Sequence, residues 1–70
     1  MTGTVVHFRP DLGYGFIHCN ETNKDVFVHH TCIEMDGYRK LEAGQVVEFE
    51  IEQGRAGLQA HHVVVVEGKL

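Results

Sequence analysis

The chain has 70 residues, of which six are Lys or Arg and ten are Asp or Glu, so its formal net charge is -4 with neutral histidines. This length gives room for a single domain, residues 1–70, and so small a domain buries little more than half of the surface that its unfolded chain exposes. A deep catalytic pocket would use apolar residues that the core needs. Length and composition therefore favour an exposed recognition face over an enzyme.

The cysteines and the absence of long apolar segments indicate the compartment. Cys19 and Cys32 lie far apart and lack the paired spacing of a disulfide framework or a zinc knuckle. The first residues show no basic stretch followed by an apolar run, and no segment is long enough to span a bilayer. We therefore expect reduced thiols in a cytoplasmic protein that does not contact membranes.

Five β-type runs follow one another, at residues 4–8, 14–19, 25–29, 46–52 and 58–66, with turn signals rich in polar residues and glycine between them. No stretch has a helical period, and residues 34–44 form a long loop. Five short strands in a small open sheet would leave exposed edges. We predict an all-β fold, a closed or nearly closed five-stranded antiparallel barrel, with an open two-layer sheet as the alternative.

The first strand does not alternate cleanly between apolar and polar residues. Val5 and Val6 are followed by His7 and Phe8, so no single phase separates a core face from an outer face. A β-bulge here would decide which of His7 and Phe8 reaches a ligand.

The second and third strands each combine an aliphatic face with an aromatic face. In strand two Tyr14, Phe16 and His18 share one face, and Ile17 and Cys19 share the other. Strand three repeats the pattern, with valines at 26 and 28 and aromatic rings at 27 and 29. One barrel interior cannot accept both faces of a strand, so we expect the rings to lie outside. Aromatic rings on a β-surface stack nucleobases, at about 1–3 kcal/mol for each base.

The fourth strand alternates apolar and acidic residues, and the fifth ends in four valines. The alternating residues of strand four are Val47, Phe49 and Ile51 against Glu48, Glu50 and Glu52. This pattern is typical of a half-buried strand with a solvated acidic face, where much of the negative charge lies. A second chain covering the valines of strand five stays open, but we expect a monomer.

Two segments, Leu12–Ile17 and Asp25–His30, resemble the ribonucleoprotein-type motifs of bacterial cold-shock domains. Further segments follow the order and spacing of that family: Met1–Val5, Asp36–Tyr38, Leu41–Val47 and Gly57–Ala60. The resemblance covers almost the whole chain. It implies an oligonucleotide-binding (OB) barrel that holds single-stranded RNA or DNA, melts weak RNA structure without ATP, and acts as an RNA chaperone or a regulator of transcription or translation.

The resemblance also implies a set of nucleic-acid-binding residues. The implied stacking platform consists of Phe8, Tyr14, Phe16, Phe27, His29 and Tyr38. Gly13 and Gly15 allow close approach of the strand, and His7, Arg9, His30 and Arg39 complete the predicted site. No cofactor is expected.

Several positions depart from the pattern of the family. Val6-His7-Phe8-Arg9 stands where the family commonly has Lys-Trp-Phe-Asn, and Leu12 replaces the lysine of the first motif. His30 replaces an aromatic residue, and Leu58 replaces the proline of the last turn. Fewer lysines predict weaker and less salt-sensitive binding, because the salt dependence scales with the number of phosphates that are neutralised.

The six histidines make the charge balance depend on pH. Each gains one positive charge on protonation, so full protonation changes the formal net charge from -4 to +2. One hypothesis is that His7, His29 and His30 strengthen binding as the pH falls through the ordinary titration range of histidine, near ~6.5. The alternative is that these histidines are tolerated substitutions without a role in binding.

Other kinds of function have weaker support. The pairs His29-His30 and His61-His62 suggest a metal site, but adjacent residues on a regular strand point to opposite faces, so we expect no metal. Cys32 is the only nucleophile candidate, and we expect it to pack as a small apolar residue at the end of strand three. The main rival is a cold-shock fold that now recognises a protein, which the net acidity and the missing tryptophan favour and the retained rings oppose.

Overall fold

A computed structural model describes residues 1–35, 37, 39–54 and 57–67. The strands are β1 (Thr2–Arg9), β2 (Tyr14–Cys19), β3 (Lys24–His29), β4 (Val46–Gly54) and β5 (Gly57–Glu67). Strand two has its predicted bounds, and the other four are longer than predicted by one or two residues at an end. All five predicted strands are therefore present.

A short 3-10 helix at His30–Cys32 follows β3, where no helix was predicted. It starts after His29, whose ring nitrogen Nδ1 accepts a hydrogen bond from the Thr31 amide. Cys32 was expected at the end of strand three and lies in this helix instead, because the chain turns away from the sheet at His30. Both cysteines are free thiols, Cys19 buried and Cys32 partly buried.

The five strands form a closed barrel in the order β1-β2-β3-β5-β4, with β4 paired back to β1. The β3–β5 pair is parallel and joins Phe27 to Gln59, and the other neighbouring pairs are antiparallel. A ring with an odd number of strands cannot alternate direction throughout, so at least one neighbouring pair must be parallel. The predicted closed barrel is confirmed, with this one parallel pair.

The barrel interior holds a single apolar core. Its buried members are Val5, Ile17, Cys19, Val26, Val28, Ile33, Leu41, Val47, Phe49, Ala60 and Val63. The described residues include no buried polar or charged side chain. In β4 the apolar positions 47 and 49 are buried and the glutamates are exposed, as the alternation predicted. The aliphatic faces of β2 and β3 thus form the core and leave their other faces outside.

A β-bulge interrupts β1 between Val5 and His7. Beyond the bulge, His7 pairs with Phe16 and Phe8 pairs with Gly15. Paired residues share a face of the sheet, so His7 lies on the outer face with Phe16, and Phe8 packs against the core. A Cβ atom at position 15 would collide with the His7 carbonyl oxygen and lie 2.7 Å from the Phe8 Cα, so only glycine allows this approach of β1 to β2.

A second irregularity lies in β5, where the register with β4 shifts between Glu48 and Glu50. Here His62 has a positive φ of 53°, so the regular alternation expected for His61 and His62 does not hold. In the part of the chain that the structure describes, no group of three or more metal-ligating side chains is arranged to hold an ion. The same residues contain no helix that is long and apolar enough to cross a membrane.

Candidate nucleic-acid interface

The outer surface of β1, β2 and β3 carries three cross-strand rows of side chains. The rows are Thr4, His18 and Asp25; His7, Phe16 and Phe27; and Arg9, Tyr14 and His29. The middle row and the two rings of the last row form what we call the aromatic face: His7, Tyr14, Phe16, Phe27 and His29. The aromatic face lies on the side of β1, β2 and β3 opposite to their buried side chains, so its rings lie outside the core.

The rings of the aromatic face contact one another in sequence. The ring centroids of His7 and Phe16 are 5.4 Å apart, those of Phe16 and Phe27 are 5.9 Å apart, and those of Tyr14 and Phe27 are 5.8 Å apart. These separations lie in the usual range for aromatic pairs. Tyr14, Phe16 and Phe27 are half-buried and His7 is exposed, so each ring is held by its neighbours and keeps surface open to solvent.

His30 extends the aromatic face beyond the end of β3. Its ring centroid lies 4.5 Å from that of His29, whose Nδ1 is 3.0 Å from the Thr31 hydroxyl oxygen. The His30 amide donates a hydrogen bond of 2.8 Å to the Gly13 carbonyl oxygen. A Cβ atom at position 13 would lie 2.6 Å from the His30 ring, and φ there is +78°. Glycine at 13 therefore fixes where the His30 ring lies.

A groove of about 350 Å³ adjoins His30. It is lined by Pro10, Asp11, Leu12, Gly13, His30, Gly37 and Arg39. His30 contacts His29 on one side and lines the groove on the other, so the groove continues the aromatic face. Arg39 gives the groove a positive charge, and the Asp11 carboxylate lies 3.9 Å from the Arg9 side chain.

The structure brings most of the predicted binding residues together. His7, Tyr14, Phe16, Phe27 and His29 form the aromatic face, Arg9 lies at its end, and His30 and Arg39 line the groove. Phe8 does not join them, because the bulge in β1 turns it toward the core. Tyr38 lies outside the described residues.

Sequence reasoning left Leu12, Asp11 and His18 out of the predicted site. Leu12 and Asp11 line the groove, and His18 lies one row from Phe16 on the same face of β2. The alternation of strand two already placed His18 on the side of Tyr14 and Phe16, so that signal was available. The groove depends on a fold that brings two loops together, for which the sequence has no local signal.

One edge of the aromatic face carries a hydrogen-bonded histidine. His18 Nδ1 is 2.9 Å from an Asp25 carboxylate oxygen, and its Nε2 is 3.0 Å from the Asn23 side-chain oxygen. The hydrogen bond to Asp25, and then that to Asn23, raise the pKa of His18 above its ordinary value. Protonation of this imidazole therefore places a cation beside the middle row of rings, with its charge partly compensated by Asp25.

The comparison with known families agrees with this geometry. The model of the 'Cold-shock' DNA-binding domain matches residues 1–66. The chain belongs to the cold-shock domain family. The predicted family is confirmed, and with it the OB-type barrel that the resemblance implied.

Curated relatives of this cold-shock domain match it over nearly their full length. A cold shock-like protein of Thermotoga maritima is 55% identical over 67 residues, covering 96% of this chain and 100% of the relative. The cold shock-like protein CspG of Escherichia coli K12 is 48% identical over 66 residues, covering 94% of each chain.

A solved structure of Drosophila Unr, CSD456, superposes on this cold-shock domain with a TM-score of 0.74 at 28% sequence identity. The match covers 93% of this chain and 26% of the Unr chain. The present chain thus spans about a quarter of the chain in that structure.

Proposed function

We propose that this cold-shock domain binds single-stranded RNA or DNA by stacking bases on the aromatic face, and that it acts in the cytoplasm as an RNA chaperone or a regulator of transcription or translation. The observation that carries the proposal is the continuous set of half-exposed rings on one side of the barrel. Exposed rings in contact with one another present π-faces that bases of any sequence can use.

Stacking contributes more to the proposed affinity than charge does. The described cations at the site are Arg9 at the end of the aromatic face and Arg39 in the groove. Two phosphate contacts give a slope of roughly -1.4 for the logarithm of the association constant against the logarithm of the salt concentration, at about -0.7 for each contact to a single strand. A shallow salt dependence is therefore the expected signature of this surface.

Chaperone activity follows from selective binding to the open strand. The aromatic face accepts unpaired bases, so each bound segment shifts the equilibrium of a weak RNA hairpin toward its open form by mass action. This process needs no ATP. Opening of a fluorophore-quencher hairpin by the protein alone measures it directly, and an unchanged melting curve in excess protein would contradict it.

We infer that the domain is not an enzyme, and the surroundings of Cys32 support this. The thiol sulfur lies 3.6 Å from His61 Nδ1, and a Glu52 carboxylate oxygen lies 3.8 Å from that same atom. In a catalytic relay the base uses one ring nitrogen for the nucleophile and the other for the orienting carboxylate. Here both neighbours approach Nδ1, so the ring does not link them.

The rival function is recognition of a protein. The exposed glutamates of the β4 outer face, Glu48, Glu50 and Glu52, favour a basic partner on the side away from the rings. The two functions use different faces of the barrel. Substitutions in the aromatic face therefore separate them.

The test is fluorescence anisotropy of a short labelled pyrimidine-rich single strand at low salt, with monomeric state checked by light scattering. We expect Phe16→Ala and Phe27→Ala each to weaken binding about 10- to 100-fold, because each removes a stacking ring. Val64→Ala, a truncation at a half-exposed position of β5, is the matched control and should bind as the parent does. Equal affinity of the parent and both ring variants would contradict the proposed function.

A further inference from the structure

The six histidines fall into two sets by their neighbours. Three form ion pairs with carboxylates: His18 with Asp25 at 2.9 Å, His61 with Glu52 at 3.8 Å, and His62 with Glu34 at 2.6 Å. When these imidazoles gain a proton, the adjacent carboxylate compensates the new charge. They therefore add little net attraction for an anion.

The other three, His7, His29 and His30, lie on the aromatic face and in its groove. None of them forms an ion pair with a carboxylate that the structure describes. His7 contacts the Phe16 ring, and His29 and His30 contact each other. A proton gained by any of these three rings is a positive charge next to the stacking surface without a local counter-ion.

The charged groups around these rings come from every neighbouring element. Arg9 on β1 and Arg39 in the loop after the 3-10 helix are positive. Asp11 is the carboxylate that lines the groove, and it lies 3.9 Å from the Arg9 side chain. Beyond the middle row lies the His18 and Asp25 pair, with Lys24 at the start of β3. Tyr14, in the row of His29, and Cys32, in the 3-10 helix, are the other titratable groups beside these rings.

We propose that His7, His29 and His30 form a proton-dependent phosphate-binding set, so that the aromatic face binds single-stranded nucleic acid more tightly as the pH falls from 8 to 5.5. This inference rests on the proposed function and adds that pH regulates the binding. Neutral imidazoles contribute ring surface for stacking. Protonated imidazoles keep that surface and add N–H donors with positive charge, which bind phosphate oxygens.

Protonation also makes the local charge more positive. With the three rings neutral, Arg9 and Arg39 are opposed by Asp11 and by the net charge of -4 of the whole chain. Each ring that contacts a phosphate steepens the salt dependence of binding by roughly 0.7 in the log-log slope. Three such rings add about 2 to the slope, more than doubling the value expected at pH 8.

The experiment measures the affinity for a rhodamine-labelled oligothymidylate, whose bases and dye do not titrate in this range, at pH 8 and at pH 5.5 and at several salt concentrations. We expect about tenfold tighter binding at pH 5.5 than at pH 8 at fixed low salt, because protonated imidazoles add charge-assisted hydrogen bonds to phosphate oxygens. We also expect a steeper salt slope at the lower pH. The slope is measured on the unaltered protein, so the test does not depend on the folding of a variant.

Two variants assign the effect to these rings. His7→Phe with His30→Phe replaces two imidazoles by rings that carry no ionisable nitrogen, so the ratio of the affinity at pH 5.5 to that at pH 8 should fall from about ten toward one, whatever the affinity at pH 8. His62→Gln, on the ion-paired set, is the matched control and should keep the full gain. Circular dichroism at both pH values checks that each protein is folded.

The outcomes distinguish the two proposals. Binding at pH 8 that is unchanged at pH 5.5, in affinity and in salt slope, overturns the proton-dependent set and leaves the proposed function standing. A gain that survives in the double variant also overturns it, because other groups then carry the protons. Absence of binding at both pH values overturns the proposed function and the present inference together.

Discussion

At position 12 a leucine side chain that is 54% exposed lines the groove beside His30. A lysine there would place a cation next to Arg39 without disturbing the core. We expect Leu12→Lys to bind single strands more tightly than the parent and to steepen the salt slope by about 0.7, the contribution of one added phosphate contact. Anisotropy titrations over a salt series measure both. Leu12→Met is the uncharged control, and identical slopes for the two variants would show that no phosphate passes this groove.

Gly13 fixes the His30 ring through its backbone. Its φ of +78° disfavours any L side chain by roughly 1–2 kcal/mol, and an added Cβ would meet the ring. We expect Gly13→Ala to lower the free energy of unfolding by about that amount in urea and also to weaken binding. Gly37 has a φ of +77° with nothing within 4 Å of an added Cβ, so Gly37→Ala is a control for the backbone effect alone. Equal affinities of the two variants would mean that the position of His30 does not matter for binding.

Among the elements, β2 was predicted to the residue and β1 was not. Strand two alternates without interruption from Tyr14 to Cys19, so the sequence pattern predicts both where the strand begins and ends and which side chains share a face. In β1 the bulge after Val5 exchanges the faces of the residues that follow, and the sequence allowed either His7 or Phe8 on the outside. The bulge is accompanied by a close contact between β1 and β2 at Gly15. A contact between two strands cannot be predicted from the alternation within one of them.

The same limit applies to the closure of the barrel and to the groove. The five strands follow from β-type runs and the turn signals between them, but the parallel pairing of Phe27 with Gln59 depends on where the chain returns after β3. The rings of the aromatic face follow from period-two patterns in β2 and β3. The groove combines Leu12 with Arg39, which are distant in sequence. The family resemblance implied His30 and Arg39 as binding residues, and Leu12 and Asp11 were left out of the predicted site.

Two ion pairs connect elements and make the stability of the fold depend on pH. Glu34 raises the pKa of His62, and Asp25 raises that of His18, chiefly through hydrogen bonds. A raised folded-state pKa contributes stability that is fully present below the unfolded value of 6.5 and is lost as the pH rises through the folded value. We therefore expect urea unfolding to show a more stable protein at pH 6 than at pH 8. A variant with His18→Gln and His62→Gln should lose most of that difference.

At lower pH a carboxyl group makes the stability of the fold depend on pH in the opposite direction. The Thr2 amide donates a hydrogen bond to Glu21 and lowers the pKa of that carboxyl. This stability is present above the unfolded value of 4.5 and is lost as the pH falls through the folded value. Maximum stability thus lies between about 4.5 and 6.5. Higher stability at pH 8 than at pH 6 in the parent would contradict this account of the ion pairs.

For the molecule as a whole, the core is small and each buried side chain is a large part of it. A domain of this size has roughly 4–10 kcal/mol of stability. Ile17 is fully buried between the strands, so Ile17→Ala should remove about 2–5 kcal/mol and lower the melting temperature by at least about 10 °C. Calorimetry measures the shift. Phe27→Ala, which truncates a partly exposed ring, should lower the melting temperature less and binding more, and the reverse order would place the rings in the core.

Closure through one parallel pair has a consequence for the motions of the barrel. Phe27 and Gln59 are the registered partners between β3 and β5, whereas β4 and β5 pair along most of their length. Opening at this seam converts the barrel into an open sheet in the order β3-β2-β1-β4-β5, because β4 stays paired with β1. The two edges that open, β3 and β5, can then pair with strand edges of another molecule. Amide exchange should therefore be faster along β3 and β5 at the seam than along β2. Concentrated protein would then associate edge to edge through the opened seams.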